Sequence, residues 1–303
     1  MSFKLQILGS GAATPTLKRG VTAQYLNFNE RKILIDCGEG TQLKLRKFNI
    51  SFQRIQYIFI SHLHGDHYLG LMGLLSSMHL LGREKPIHIY APPELKEIFD
   101  TQFKLTYVTL KFEIIYHFLD FKEKKMVFED NLIEVYAFPL KHRIPCYGFL
   151  FKEKLKERGM ITENIKKFNI KIPEILRLKA SKNVTRENRE VLNYLEHTTP
   201  PSKPKSYAFC TDTKYIDNLH EIVKDVDILY HEATFVHELL SRAKATFHTT
   251  AFQAATLAKK ANVRKLLLGH FSQRYSSTKD IEKEAKSVFN RTICVKDGDT
   301  FIL

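Results

Sequence analysis

Cysteine is scarce in this chain: four in 303 residues (Cys37, Cys146, Cys210 and Cys294), each standing alone with no CxxC pair. A disulfide framework and a cysteine-based zinc site are therefore not expected, and a reducing, cytoplasmic setting is. Long apolar runs are also missing, since none approaches the roughly 18 residues of a membrane-crossing helix. The N-terminal stretch Met1-Ser2-Phe3-Lys4-Leu5-Gln6-Ile7-Leu8 has no cationic segment followed by a long apolar core, so no signal peptide is expected. Repeats of fixed period and low-complexity tracts are absent. Acidic residues are outnumbered, 33 Asp and Glu against 47 Lys and Arg, for a formal net charge of +14. That excess favours a polyanionic partner, either nucleic acid or an anionic membrane surface.

What is present is an ordinary soluble composition, 44% hydrophobic and 26% charged. The length suits one large α/β domain, or one carrying an insertion. Up to residue 151 the chain reads as strands separated by turns: Phe3–Leu8, Ala23–Phe28 and Lys32–Asp36 as a hairpin, Ile55–Ile60, and Ile87–Tyr90. Helices are expected from Leu69 to Leu81 and from Glu94. Residues 152–205 differ, with 14 Lys or Arg against 7 Asp or Glu, which is half of the net charge in about a sixth of the length. This segment reads as an insertion in a domain formed by residues 1–151 and 206–303. Its bland explanation is a solvated helical excursion; its functional one is a cationic handle. It ends in Thr198-Thr199-Pro200-Pro201-Ser202-Lys203-Pro204, which stops any preceding helix. Strands then return at Ser206–Cys210, Val226–Tyr230, Lys265–Leu268 and Thr292–Val295, alternating with helical patterns at Thr249–Lys260 and Ile281–Phe289.

The strongest signal is Ser61-His62-Leu63-His64-Gly65-Asp66-His67, directly after the apolar strand. In an extended segment His62 and His64 point the same way. Gly65 is expected to permit a sharp reversal that swings Asp66 and His67 toward a second position. Imidazole suits zinc, and carboxylate accepts zinc or a harder ion such as Mn²⁺, so two adjacent metals are a natural outcome. His142, Asp212 and His270 each follow an apolar strand, where sheets of this kind present chemical groups. Asp36, also at a strand end, is expected to support histidine ligands. His79, His88, His117, His197, His220 and His237 are expected to have structural or surface roles.

This pattern resembles the metallo-β-lactamase superfamily and, within it, the ribonuclease Z family of tRNA 3′-processing endonucleases. The closer match is carried by Gly9-Ser10-Gly11 with Pro15–Arg19, Ile35-Asp36-Cys37-Gly38-Glu39-Gly40-Thr41-Gln42, Ser61–His67, and Tyr207-Ala208-Phe209-Cys210-Thr211-Asp212-Thr213. His231-Glu232-Ala233-Thr234-Phe235, His248-Thr249-Thr250-Ala251 and His270-Phe271-Ser272-Gln273-Arg274-Tyr275 complete it. The resemblance implies an αββα sandwich with a protruding basic arm, and two zinc ions, with Mn²⁺ as the other metal considered. His62, His64 and His142 would hold one ion, Asp66, His67 and His270 the other, and Asp212 would bridge. Asp66 would also accept or orient the proton of the attacking water. His248 would protonate the leaving 3′-oxygen, and Glu232 would orient its ring. His231 is expected to pack or support. Lys18, Arg19, Arg274 and the arm 152–205 would contact substrate.

The implied substrate is precursor tRNA and the implied assembly a homodimer; no membrane partner is expected. Hydrolysis 3′ of the discriminator nucleotide would leave a tRNA 3′-OH and a trailer 5′-phosphate. Two departures stand out. The early loop reads Pro15-Thr16-Leu17-Lys18-Arg19-Gly20 where the family often has Pro-x-Lys-x-Arg-Asn. The arm has Ile172-Pro173-Glu174-Ile175 near the place of the Gly-Pro-rich turn of bacterial members. Competing readings are a small-substrate phosphodiesterase of the same superfamily and a non-catalytic RNA-binding relative.

Overall fold

The computed structural model describes residues 3–303; Met1 and Ser2 of the N-terminal stretch lie outside the described residues. One unit comprises residues 1–129, 134–151 and 205–303, and a second comprises 130–133 and 152–204.

The first unit is built on two seven-stranded sheets. One runs in the order Thr300–Ile302, Phe3–Gly9, Ala23–Phe28, Arg31–Cys37, Tyr57–Phe59, Ile87–Ala91, Ile114–Phe118. Its early strands pair antiparallel and its later ones parallel. The hairpin between Phe28 and Arg31 turns on Asn29 and Glu30, both left-handed (φ 49 and 66), the geometry that matches strand twist in a two-residue turn. The other sheet runs Thr292–Cys294, Lys265–Gly269, Ile228–Glu232, Ser206–Cys210, Tyr147–Glu153, Ile133–Pro139, Lys125–Glu129.

Aromatic rings fill the space between the sheets. Phe59 lies 5.2 Å from Phe149 and 5.4 Å from Phe151, and Phe3 lies 6.2 Å from Tyr207, ring centroid to centroid. Each sheet covers its other face with helices, so the layers are α/β/β/α. Leu71, Leu74, Leu75 and Met78 of helix Gly65–Leu80 pack with Leu95 and Phe99 of helix Glu94–Leu105 on the first sheet. Ala254, Ala255, Leu257 and Ala258 of helix Ala251–Lys260 join Ile281 and Ala285 of helix Lys279–Val288 on the second. No helix among the described residues is long and apolar enough to cross a membrane, and all four cysteines are free and buried.

Three local expectations are corrected. The strand expected over Ile55–Ile60 is only Tyr57–Phe59, because a 3-10 turn at Phe52–Arg54 delays it. The helix expected from Leu69 begins at Gly65, so Asp66 and His67 stand in its first turn. Leu and Met content, which starts at Leu69, hid that earlier start. Gly65 is helical and makes no reversal; the change of direction occurs at His64, extended at φ −74 and ψ 144. Asp66 suits this position, since a helix N-terminus favours negative charge. Gly38 and Gly70 let the helix lie backbone to backbone on the loop after Cys37. A Cβ on Gly70 would meet the Gly38 carbonyl oxygen at 2.1 Å, and one on Gly38 would meet the Asp66 carbonyl oxygen at 2.2 Å.

The second unit takes in residues 130–133 as well as 152–204, since the Lys154 amide donates to the Leu132 carbonyl at 2.8 Å, and Lys205 falls in the first unit. It is not simply helical. Helices Thr162–Lys167, Ile172–Lys179 and Tyr194–His197 accompany two small antiparallel pairings, Gly159–Met160 with Thr198–Thr199 and Val184–Thr185 with Val191–Leu192. Ile170, Leu178, Val184 and Leu192 form its own small core. Arg186 ties it together, bonding both carboxylate oxygens of Glu174 (2.7 and 2.9 Å), Glu190 (3.1 Å) and the Phe168 carbonyl (3.0 Å).

Candidate metal centre

Parallel pairing brings the strand ends of the second sheet level, with Cys210 opposite His231 and Glu232 opposite Gly269. The loops that follow carry Asp212, Thr234 and His270. In the first sheet, parallel strands ending at Cys37 and Phe59 bring Asp36 beside Ser61. The seven residues expected as ligands converge where these ends meet.

They fall into two sets. His62 Nε2 is 3.1 Å from His64 Nδ1, which is 3.0 Å from His142 Nε2. Asp212 Oδ2 stands 3.7 Å from His62 Nε2 and 3.8 Å from His142 Nε2. In the other set His67 Nε2 and His270 Nε2 are 3.4 Å apart, and Asp66 Oδ2 is 3.5 and 3.4 Å from them. Asp212 Oδ1 faces this set, 3.4 Å from His67 Nε2 and 3.1 Å from His270 Nε2. Within each set every donor atom lies within 4.8 Å of the others, and His248 joins Asp212 and His270 in a third such grouping.

The chemistry of this donor set fits two small cations. Each imidazole that turns Nε2 inward has its Nδ1–H engaged behind it. His67 Nδ1 donates to Asp36 Oδ2 at 2.7 Å. His62 Nδ1 donates to Ser61 Oγ at 3.0 Å, and that hydroxyl donates on to Asp36 Oδ2 at 2.9 Å. His142 Nδ1 donates to the Phe247 carbonyl at 3.2 Å, and His270 Nδ1 to Thr234 Oγ1 at 3.0 Å. These bonds turn the Nε2 of each ring toward the cluster. His62 Nε2, His64 Nδ1 and His142 Nε2 crowd together at 3.0 and 3.1 Å, an arrangement that a cation between them would favour. Burial keeps His62, His64 and His142 neutral, with pKa values below the ordinary histidine value. Burial opposes the charge of His67 too, but Asp212, Asp66 and Asp36 override it and raise its pKa well above the ordinary value. Burial likewise opposes ionisation of Asp66 and Asp212, yet the neighbouring histidines hold both below the usual carboxylate range.

Backbone geometry at the site is unusual. Ala13, Asp36, Phe247 and His270 all take left-handed φ (62, 55, 62 and 56), a cost that surrounding structure must hold in place. Glu232 is fully buried at the end of its strand. Its Oε1 accepts from His248 Nδ1 and the Thr213 amide, both at 2.9 Å, and its Oε2 from Thr234 Oγ1 at 2.6 Å. Burial opposes the His248 charge, but Glu232 overrides it and lifts the imidazole to about 9. His231, by contrast, turns away and donates to the Glu232 carbonyl at 2.7 Å.

The cluster opens into a cleft of about 630 Å³ lined by His64, Asp66, His142, Asp212, His248 and His270 and rimmed by Arg143, Arg242 and Arg274. Arg274 stacks on Phe235 at 5.2 Å. Lys18 and Arg19 do not line this cleft. They line a neighbouring one of about 940 Å³ that shares Ala12 and Gln273 with it, and the Arg19 guanidinium is bonded to the Tyr275 carbonyl at 2.8 Å. Sequence reasoning missed Arg143, Arg242, the Thr234 hydroxyl, the Phe247 carbonyl and the Ala13 amide, which donates to Asp66 Oδ2 at 2.7 Å. Thr234 lay in the quoted His-Glu-Ala-Thr stretch; the two backbone groups carry no sequence signal.

Comparison with known proteins agrees with this geometry. Residues 3–175 match the family described as Anti-Pycsar protein Apyc1. Over 296 residues the chain is 42% identical to ribonuclease Z of Bacteroides fragilis (strain YCH46), covering 98% of this chain and 97% of the relative. It is 43% identical over 302 residues to ribonuclease Z of Cytophaga hutchinsonii, covering 99% and 96%. Among solved structures, human tRNase Z, short form, superposes with a TM-score of 0.72 at 27% identity, covering 98% of both chains. The metallo-β-lactamase fold protein YhfI of Bacillus subtilis shares the fold, with a TM-score of 0.70 at 16% identity over the whole of both chains. With relatives above 40% identity along nearly all of its length, and a histidine–aspartate metal-binding cluster at its strand ends, the chain belongs to the ribonuclease Z family, the metal-dependent tRNA 3′-processing endonucleases of the metallo-β-lactamase fold.

Proposed function

We propose that this chain is a two-zinc endoribonuclease that cuts precursor tRNA 3′ of the discriminator nucleotide, leaving a tRNA 3′-OH and a trailer 5′-phosphate. The observation that carries the reading is Asp212, whose Oδ2 faces His62 and His142 while its Oδ1 faces His67 and His270. One carboxylate addressed to two donor sets is what a pair of neighbouring ions requires. His62, His64 and His142 would hold one zinc and Asp66, His67 and His270 the other, with Asp212 shared between the two sets; Mn²⁺ would suit the same oxygen-containing set. When bound, such a pair supplies a water of lowered pKa and charge neutralisation at the phosphate.

The chain's own groups do the rest. Asp66, fixed by the Ala13 amide, accepts and orients the proton of the attacking water. His248 enters as an imidazolium, its Nδ1–H held by Glu232, so that Nε2–H is the proton available to the leaving 3′-oxygen. Arg143, Arg242 and Arg274 offer cationic contacts to the phosphates either side of the cut. Lys18 and Arg19, on the neighbouring cleft, contact RNA beyond it.

Residues 152–205 act as a tRNA-binding arm inserted in the sequence of the catalytic domain of residues 1–151 and 206–303, since a local excess of seven positive charges is wasted on a small substrate. The protein acts in the cytoplasm as a homodimer. The deciding experiment maps the cut on one CCA-less and one CCA-containing precursor tRNA with the purified zinc-loaded protein. A single cut 3′ of the discriminator on the CCA-less precursor is expected; hydrolysis of small phosphodiesters with no cut in tRNA would refute the reading.

A further inference from the structure

Asp297 follows the short strand Thr292–Cys294, far along the chain from every ligand candidate except His270. Its side chain is 7% exposed, and its carboxylate serves four donors. Oδ1 accepts from the Ser10 amide at 3.1 Å and the Ser10 hydroxyl at 2.8 Å. Oδ2 accepts from the Gly20 amide and from Lys44 Nζ, both at 2.7 Å.

Ser10 and Gly20 are the two feet of the loop that runs between them. The feet are also joined directly, the Gly11 amide donating to the Gly20 carbonyl at 2.9 Å. One side of the loop is stitched to the segment bearing His270: the Ala12 amide donates to the Phe271 carbonyl at 3.1 Å, and the Phe271 amide to the Ser10 carbonyl at 3.0 Å. At its inner turn stands Ala13, left-handed at φ 62, whose amide reaches Asp66 Oδ2 at 2.7 Å. That oxygen is the one facing His67 and His270.

We propose that Asp297 is a positioning residue for Asp66: it clamps both feet of the 11–19 loop, so that the Ala13 amide holds Asp66 Oδ2 toward His67 and His270. Thr14 to Lys18 are exposed, and an irregular segment of this kind has many conformations to lose. An amide on it orients a carboxylate only while its ends are fixed. Two charged acceptor oxygens are needed because the donors come from two feet; an amide side chain offers one. A small phosphodiester is too short to reach Lys18 and Arg19 on the same loop, so with such a substrate the clamp bears on turnover through the orientation of Asp66 and leaves affinity alone.

This inference rests on the reading of Asp66 as metal ligand and proton acceptor, and its test separates the two. In the full-length protein, Asp297→Asn is compared with wild type by hydrogen exchange of residues 11–14, by zinc titration, and by kinetics on bis(p-nitrophenyl) phosphate. Exchange at 11–14 is expected to rise at least about tenfold in the variant. Of the two zinc equivalents, one is expected to weaken about tenfold and the other to stay unchanged. The turnover number kcat is expected to fall about tenfold with KM within about twofold. Ser10→Ala, which removes one donor, should move all three readings the same way by a smaller factor and serves if the first variant folds poorly. Unchanged exchange, equal weakening of both zinc equivalents, or a loss confined to KM would overturn the clamp. If wild type turns over no phosphodiester, the functional reading fails, while exchange and the split in zinc affinity still decide the clamp.

Discussion

His67 Nδ1 and Asp36 Oδ2 meet at 2.7 Å with neither side chain exposed, and this pair fixes the imidazole whose other nitrogen faces the second donor set. Asp36 is held in turn by the Ser61 amide at 2.7 Å and hydroxyl at 2.9 Å. Burial pushes the Asp36 carboxyl up, against His67 and Ser61, so the pair is costly to build and is stable only as a unit. Replacing Asp36 by Asn keeps the shape and removes the charge. Zinc affinity is expected to drop about 10- to 100-fold, read by chelator competition, with the larger loss in the ion held by His67. Equal affinity in variant and wild type would show that the tautomer of His67 does not depend on this contact.

His248 and Glu232 give a prediction with a pH axis. The folded pKa of His248 is raised, to about 9, with burial opposing and Glu232 prevailing. The stabilising pair is therefore complete below the ordinary histidine value and is lost as pH rises through about 9. The proposed acid role of His248 predicts that cleavage falls on that same alkaline side. His248→Ala is expected to keep its zinc and to lose about 10²- to 10⁴-fold in precursor tRNA cleavage. Glu232→Gln should move the alkaline limb of kcat toward lower pH. A limb that stays in place in both variants would assign it to another group.

How much of this was legible beforehand depends on the kind of atom involved. The seven ligand candidates announced themselves because imidazole and carboxylate side chains at strand ends have few structural reasons to be there. Asp36 was legible for the same reason. The left-handed backbone of His270 and Asp36 was not, since neither residue type signals φ above zero as glycine does. The Ala13 amide and the Phe247 carbonyl were invisible because every residue has such groups, and only the fold selects which ones matter. The early start of helix Gly65–Leu80 was hidden because its first turn carries Asp66 and His67 in place of the Leu and Met that mark the rest of the helix. In the basic segment the charge was readable, while two-residue pairings such as Val184–Thr185 with Val191–Leu192 are too short to show any periodicity.

The charge of residues 152–205 predicts a salt-dependent handle. Removing residues 152–204 and bridging the ends with a short glycine–serine linker should weaken precursor tRNA binding far more than hydrolysis of bis(p-nitrophenyl) phosphate. The slope of log affinity against log salt should become shallower by about 0.7 to 0.9 for each phosphate that is no longer neutralised. Both slopes are measured by binding titrations from low to moderate salt. Equal losses on tRNA and on the small ester would mean that the segment supports the fold and does not handle RNA.

Arg186 and Glu174 set the acid stability of that segment. The Arg186 guanidinium, bonded to both of its oxygens, holds the Glu174 carboxyl down at about 2. A depressed carboxyl stabilises the fold above its ordinary value and loses that contribution as pH falls from there toward about 2. The pair is partly open to solvent, so screening trims its worth and salt trims it further. Local unfolding of residues 152–204 is therefore expected at mild acid before the rest of the chain responds. Limited proteolysis from about pH 3 to about pH 7 should cut wild type within this segment only at the acid end. Glu174→Gln removes the charge but keeps an oxygen acceptor for Arg186, and it should be cut at every pH in that range with little pH dependence. Cutting of wild type that is independent of pH would mean that the small core of Ile170, Leu178, Val184 and Leu192 holds the segment without the ion pair.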